Sequence, residues 1–428
     1  MLDRSRVLLL GALFAGAVTF SGKASADMVL DSGGKWFPAP TEGTPPAADD
    51  TPPDEMVAGA ADFKVDATYE TVTVKSKNFT RPAGAVRRII ASDSLSGQFR
   101  EAMNDASSAF YEDAADKFKT AADELQGFGK QSALYFRVQA YVDGGDVAKA
   151  LTACDDLIQQ FPKSFYFCDV QILRAKVAAT KNVDSAADDV TKILGAVSSA
   201  PGMNNRDLFR AEWTRIYLTL ETRRKFDEAE KAYRDLVSKV EKTDAVQGET
   251  VRQQALVGIG NCLVAGKKEA DARTFFEKAT ESRNSDVLAG AYLGLGNIAY
   301  AEAKALRDGG KLPEAKARLQ DAVAHYLRVT CKYKTEVEDS SPVLDALVNQ
   351  ARVFVILFEM SANAKERDCE SAERAWKTYQ ELVNMPSVGS ARNTFIKEFK
   401  AFDEKKKAAC SVPPPAEKPA DKPADKPK

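Results

Sequence analysis

Histidine is nearly absent: His325 is the only one in 428 residues. A Ser-His-Asp or Cys-His arrangement would have to run through that one residue, which falls mid-helix beside an apolar stripe. The six cysteines include no C-x-x-C pair, and four closely spaced metal ligands are missing. The formal charge of −2 creates no long-range field toward nucleic acid or an anionic membrane surface. Apolar runs are short, and Val7 to Phe20 is too brief for a comfortable transmembrane helix. The glycines of the stretch from Gly290 to Tyr300 follow no strand and lead to no Gly-Lys-Ser/Thr, which argues for helix packing against a phosphate loop. Acidic pairs such as Asp155-Asp156 and Asp188-Asp189 sit on polar helix faces, whereas glycosidase chemistry needs two carboxylates converging in a cleft. The expectation is therefore a protein that is not an enzyme, with no cofactor, no metal, no nucleic-acid partner and no integral membrane span.

What is present begins with an address. Arg4 and Arg6 precede the apolar run, and Ala24-Ser25-Ala26 supplies a small-x-small cleavage site before Asp27. Residues 1–26 read as a signal peptide, whose removal leaves the chain at about −4 and places it in the periplasm, at the cell envelope or outside the cell. Residues 27–61 are a linker rich in Pro and acid. Residues 62–92 form a small β-element. Tyr69 to Val74 alternates as a half-buried strand does, Pro82-Ala83-Gly84 turns, and Val86 to Ile90 makes a further strand broken by Arg87 and Arg88. The pattern from Asp62 to Ile90 resembles the small Sm- or SH3-like β module that precedes helical repeats in some exported bacterial proteins. Residues 411–428, rich in Pro, Lys and Ala, cannot build a core and read as a disordered tail.

Between them, residues 95–410 are helical in period and repeat. An Ala recurs after a polar turn at Ala114, Ala150, Ala186, Ala229, Ala272, Ala315 and Ala372, with spacings of 36, 36, 43, 43, 43 and 57 residues. The step from 36 to 43 adds about two helical turns and keeps the same face inward. The most regular unit is the stretch from Ala255 to Thr280, read as two short helices joined by Gly266-Lys267-Lys268. In the sixth unit the turn at Gly309-Gly310 comes seven residues late, so its first helix should be two turns longer. Residues 391–408 look like a capping helix. Export leaves the cysteines open: a bridge could join Cys154 to Cys168 or Cys369 to Cys410, while Cys262, Cys331 and most of the others read as small buried apolar residues.

The unit resembles the tetratricopeptide repeat. Leu256, Ile259, Gly260, Ala272, Phe276 and Ala279 carry the pattern in the fifth unit, and Leu134, Tyr141, Ala150 and Pro162 carry it in the second. The fourth unit supplies Trp213, Ala229 and Tyr233. Departures include Val138 and Arg174 where the pattern has Gly. The resemblance implies an all-α solenoid whose first helices line a concave groove for an extended peptide or a partner helix. Carried over by position, Gln139, Leu218, Asn261 and Asn297 face that groove, with Tyr135, Gln171 and Thr214 one turn earlier. The two Asn could bond a peptide backbone or merely cap a polar wall. Val257 and Leu293 stand where the family's carboxylate clamp has Lys. The function this implies is a scaffold for protein or peptide partners. A self-assembling envelope protein and an accessory of a peptidoglycan- or carbohydrate-active system are the alternatives.

Overall fold

The structure, a computed structural model, describes residues 28–30, 36–38, 55–57, 65–74, 79–82, 88–90, 96–181, 186–333, 341–360, 368–384 and 392–410. The expected signal peptide, most of the linker, Ala83-Gly84, Arg87 and the tail lie outside those residues. The described part is nearly all helical, and its helices follow one another as packed adjacent pairs.

Pairs one to four are α1 (Gly97–Ser107) with α2 (Tyr111–Glu124), α3 (Gly127–Asp143) with α4 (Val147–Gln160), α5 (Phe167–Lys181) with α6 (Ala186–Ser199), and α7 (Asn205–Ile216) with α8 (Phe226–Thr243). Pairs five to seven are α9 (Ala245–Ala265) with α10 (Glu269–Ala279), α11 (Ser285–Asp308) with α12 (Leu312–Leu327), and α13 (Ser341–Glu359) with α14 (Cys369–Asn384). A last helix, α15 (Arg392–Cys410), follows. Each of the seven recurring alanines lies in the second helix of its pair, and all are buried. The helix α9 starts ten residues before the stretch read as its beginning and runs for 21 residues, with Asp244 accepting from the Gln247 N–H as its cap. The helix α11 has 24 residues against 17 in α3, which is the two-turn extension expected of the sixth unit.

One turn recurs in pairs one, two, four, five and six. Ala109, Gly145, Arg224, Lys267 and Gly310 take positive φ. The N–H of the following residue then reaches back to the carbonyl of Asp105, Tyr141, Leu220, Leu263 or Leu306. This is the six-to-one hydrogen bond of a Schellman ending, which satisfies a carbonyl the helix leaves open. In the Gly266-Lys267-Lys268 turn the left-handed residue is Lys267, not the glycine.

The chain divides into two compact units, residues 1–294 with 335–338 and residues 295–334 with 339–428. In the first, aromatic rings of second helices fill notches left by glycines. A Cβ on Gly258 would lie 2.5 Å from the Tyr233 ring, and Cβ atoms on Gly260 and Gly294 would lie 2.6 and 2.3 Å from the Phe276 ring. Phe276 is thus gripped between its own first helix and that of the next pair, which ties successive pairs together. In the second unit Tyr326 fills the notch at Gly296 in the same way. Phe402 of α15 packs on Phe358 and Tyr379, and a disulfide joins Cys369, at the start of α14, to Cys410, at the end of α15. Cys154, Cys168, Cys262 and Cys331 are free thiols, the first three buried.

Ahead of the helices lie short strands: β1 (Met28–Leu30), β2 (Trp36–Pro38), β3 (Glu55–Val57), β4 (Val65–Ala67), β5 (Thr71–Val74), β6 (Phe79–Pro82) and β7 (Arg88–Ile90). The hairpin formed by β4 and β5 pairs Ala67 with Val72 and bears directly on the helices. The strand order, β2-β1-β3-β7 apart from β4-β5-β6, supplies no support for the Sm-like resemblance.

Candidate partner-binding surface

The groove-facing residues read from the sequence separate into three groups. Gln171, Thr214 and Leu218 are only 3, 3 and 8% exposed, so they belong to the interior and not to a groove wall. For Leu218 the reason is a π-helical turn over Tyr217–Glu221, which inserts one extra residue per turn and rotates the side chain inward. It packs there with Phe167, Cys168 and Ala211. Gln171 accepts from Arg174 Nη1, which occupies the wider place where the repeat pattern has glycine.

Tyr135 and Gln139 stay half-buried and bond to each other, Gln139 Nε2 donating to the Tyr135 hydroxyl at 2.9 Å. The Tyr135 ring lies flat on Tyr166, centroids 4.3 Å apart. A second flat pair, Trp213 on Tyr217, joins the end of α7 to the π turn that follows it.

Asn261 and Asn297 are each engaged, though not with each other. In the first unit, exposed Asn261 donates from Nδ2 to Glu221 Oε1 at 3.0 Å, and Tyr233 donates its hydroxyl to Glu221 Oε2 at 2.5 Å. The π turn that buries Leu218 brings Glu221 into this position. Burial pushes the Glu221 carboxyl above its ordinary value, and the bonds from Tyr233 and Asn261 offset only part of that. In the second unit, Asn297 Oδ1 accepts from the Tyr326 hydroxyl and from Asn349 Nδ2, both at 2.9 Å. Asn297 Nδ2 and Asn349 Oδ1 have no partner among the described residues. The joined pair therefore keeps one donor group, on Asn297, and one acceptor, on Asn349. Buried Thr330 donates to Gln350 Oε1, next in sequence to Asn349, at 3.2 Å.

Glu221 and Asn349 were not among the residues singled out from the sequence. Tyr233 carried a signal, four residues after Ala229 at the aromatic place of the repeat.

The tetratricopeptide repeat family model matches residues 132–164, which run from α3 through α4 to the turn beyond Pro162. This segment is similar to one tetratricopeptide repeat. Its Leu134, Tyr141 and Ala150 are buried at the packing positions of that repeat. No curated protein matches the chain. Among solved structures, a chain titled "Assembly Chaperone of RpL4 (Acl4) (Residues 1-338)" is 13% identical over 74% of this chain and 98% of its own length, with a TM-score of 0.31. Among the described residues no helix is long and apolar enough to cross a membrane.

Proposed function

We propose that this protein is a non-enzymatic scaffold that holds protein partners, exported to the periplasm or cell envelope after loss of residues 1–26. The observation that carries the binding reading is the Asn297–Asn349 pair. It joins first helices of successive pairs and keeps an unused N–H on Asn297 and an unused C=O on Asn349, groups with which an extended peptide could pair its backbone. The Tyr326 hydroxyl holds the pair in register from below. Export draws on the charged, apolar and small-residue order of the leader, and the Cys369–Cys410 bridge is chemistry that an oxidising compartment sustains. The hairpin of β4 and β5 belongs to this scaffold as a contact to the first repeats.

The test is affinity selection of a random peptide library on the full chain, followed by titration of the selected peptides against Asn297→Ala/Asn349→Ala. Losing two hydrogen bonds of about 1 kcal/mol each should weaken binding by about tenfold or more. Equal affinity for the double variant would remove the groove assignment. A second reading, an accessory of a peptidoglycan- or carbohydrate-active system, draws on the flat Trp213–Tyr217 pair and the Trp213 indole N–H, which is buried without a partner among the described residues. Tryptophan fluorescence titrated with soluble peptidoglycan fragments decides it, since saccharide stacked on Trp213 would quench the emission.

A further inference from the structure

The tip of the β4–β5 hairpin is plugged into the ends of helix pairs two and three, and the fit has the features of a ligand in a socket. Thr68 builds the tip: its hydroxyl accepts from the N–H groups of Glu70 and Thr71, and its own N–H donates to the Thr71 carbonyl. That turn presents Ala67 and Tyr69 on one side, 0 and 3% exposed. Ala67 enters the core shared by pairs one and two. Tyr69 enters the next core along, against Phe167 with centroids 5.7 Å apart. The hairpin therefore spans the seam between consecutive repeats.

The socket reads the backbone of the tip as well as its side chains. Gln131 Nε2 donates to the Ala67 carbonyl at 3.1 Å, and Asn204 Nδ2 donates to the Tyr69 carbonyl at 3.1 Å. The Tyr69 N–H donates to the Lys163 carbonyl, and Thr68 bridges to Ser164. Both amide side chains are held in place independently of the tip. Gln131 Oε1 accepts from the Ser164 hydroxyl and the Phe165 N–H, and Asn204 Oδ1 caps α7 through the Asp207 N–H. Lys163 Nζ reaches Glu70 at the rim at 2.8 Å. Gly202, with φ of +79°, passes so close to Glu70 that a Cβ there would lie 2.6 Å from its carboxylate. These are preset contacts for a short turn of the order small residue, hydroxyl, tyrosine, acid.

We propose that this socket is a recognition site for a tyrosine-bearing turn, which the chain fills with its own hairpin and which a protein partner's turn of the same pattern fills by displacing it. The site is separate from the Asn297–Asn349 surface, so the two readings stand or fall apart.

The probe is a fluorescein-labelled, backbone-cyclised peptide of residues 65–74, titrated into the full chain and followed by anisotropy. The Tyr69→Ala chain, whose own tip has lost its anchor, should bind the probe at least tenfold more tightly than the native chain, and a probe with Ala at the tyrosine should not bind. Equal affinity of both chains, or equal affinity of both probes, would overturn the proposal. A charge exchange gives a readout that does not depend on how well Tyr69→Ala folds. Lys163→Glu should prefer, by about threefold or more, a probe carrying Lys in place of Glu70, and the native chain should prefer the original probe. Absence of that exchange would also overturn it.

Discussion

At the scale of single residues, space decides which glycines matter. Gly294 and Gly195 both sit inside helices, where Ala is favoured over Gly by about 1 kcal/mol. A Cβ at Gly294 would fall 2.3 Å from the Phe276 ring, whereas one at Gly195 meets nothing within 4 Å. Overpacking costs about 1–3 kcal/mol and exceeds the propensity gain, so Gly294→Ala should destabilise by about 1–2 kcal/mol and Gly195→Ala should stabilise by about 0.5–1. Urea denaturation of the two variants checks both signs. Glu221 supplies a pH test. Its folded carboxyl titrates above the ordinary value of 4.5 because it is buried. The stability it adds is fully present below that ordinary value and is lost as pH rises through the folded one. The native chain should therefore gain stability relative to Glu221→Gln as pH falls from 7 toward about 4.5, a trend that denaturation midpoints at several pH values would show. A flat difference would mean that Glu221 is charged at little cost. The recurring alanines were legible because close helix approach leaves no choice of side chain. Leu218 was misplaced because a π turn changes a residue's face without leaving any mark in the spacing.

At the scale of elements, the repeated Schellman turn explains why helix pairs could be read more easily than helix ends. The turn needs one left-handed residue, yet only Gly145 and Gly310 advertise it, while Ala109, Arg224 and Lys267 adopt it without glycine. A helix start such as that of α9 hangs on one cap, Asp244, in a stretch of otherwise unremarkable polar residues. The last element is tied by covalent and ionic contacts together. The helix α15 carries the Cys369–Cys410 bridge, with Lys406 on Glu373 and over the Trp376 ring. Exposed ion pairs add little, so the bridge and Phe402 hold this helix. Closing a loop with a sequence separation of 41 residues restricts the unfolded chain by about 4 kcal/mol. Cys410→Ser should lower the stability of the second unit by about that amount. It should also raise hydrogen exchange in residues 392–410 before it does so elsewhere. Exchange that stays unchanged in that segment would show that packing alone retains the helix.

At the scale of the whole molecule, the sequence showed a ladder of helix pairs clearly and the side-chain pairing on its proposed binding surface only in part. Asn297 was found because it follows a glycine, as Asn261 does. Its true partner, Asn349, lies 52 residues on, past a break in the repeat spacing, so no period pointed to it. The cysteines were ambiguous for a related reason: spacing does not say which thiols meet. The structure separates them by environment, and that makes the address of the chain measurable. Burial pushes the thiols of Cys154 and Cys262 up to about 12 and that of Cys168 well above its ordinary value, whereas Cys331 is exposed. Since the thiolate is the reactive form, a maleimide should label Cys331 alone in the folded protein. After denaturation without reductant four of the six cysteines should be labelled, and all six after reduction. Chain purified from an oxidising compartment should give the count of four and an intact mass starting at Asp27. Chain made in a reducing cytosol without residues 1–26 should give six. A count of six from the exported material would dissolve the bridge and remove one of the two supports for export, leaving the leader to carry it alone.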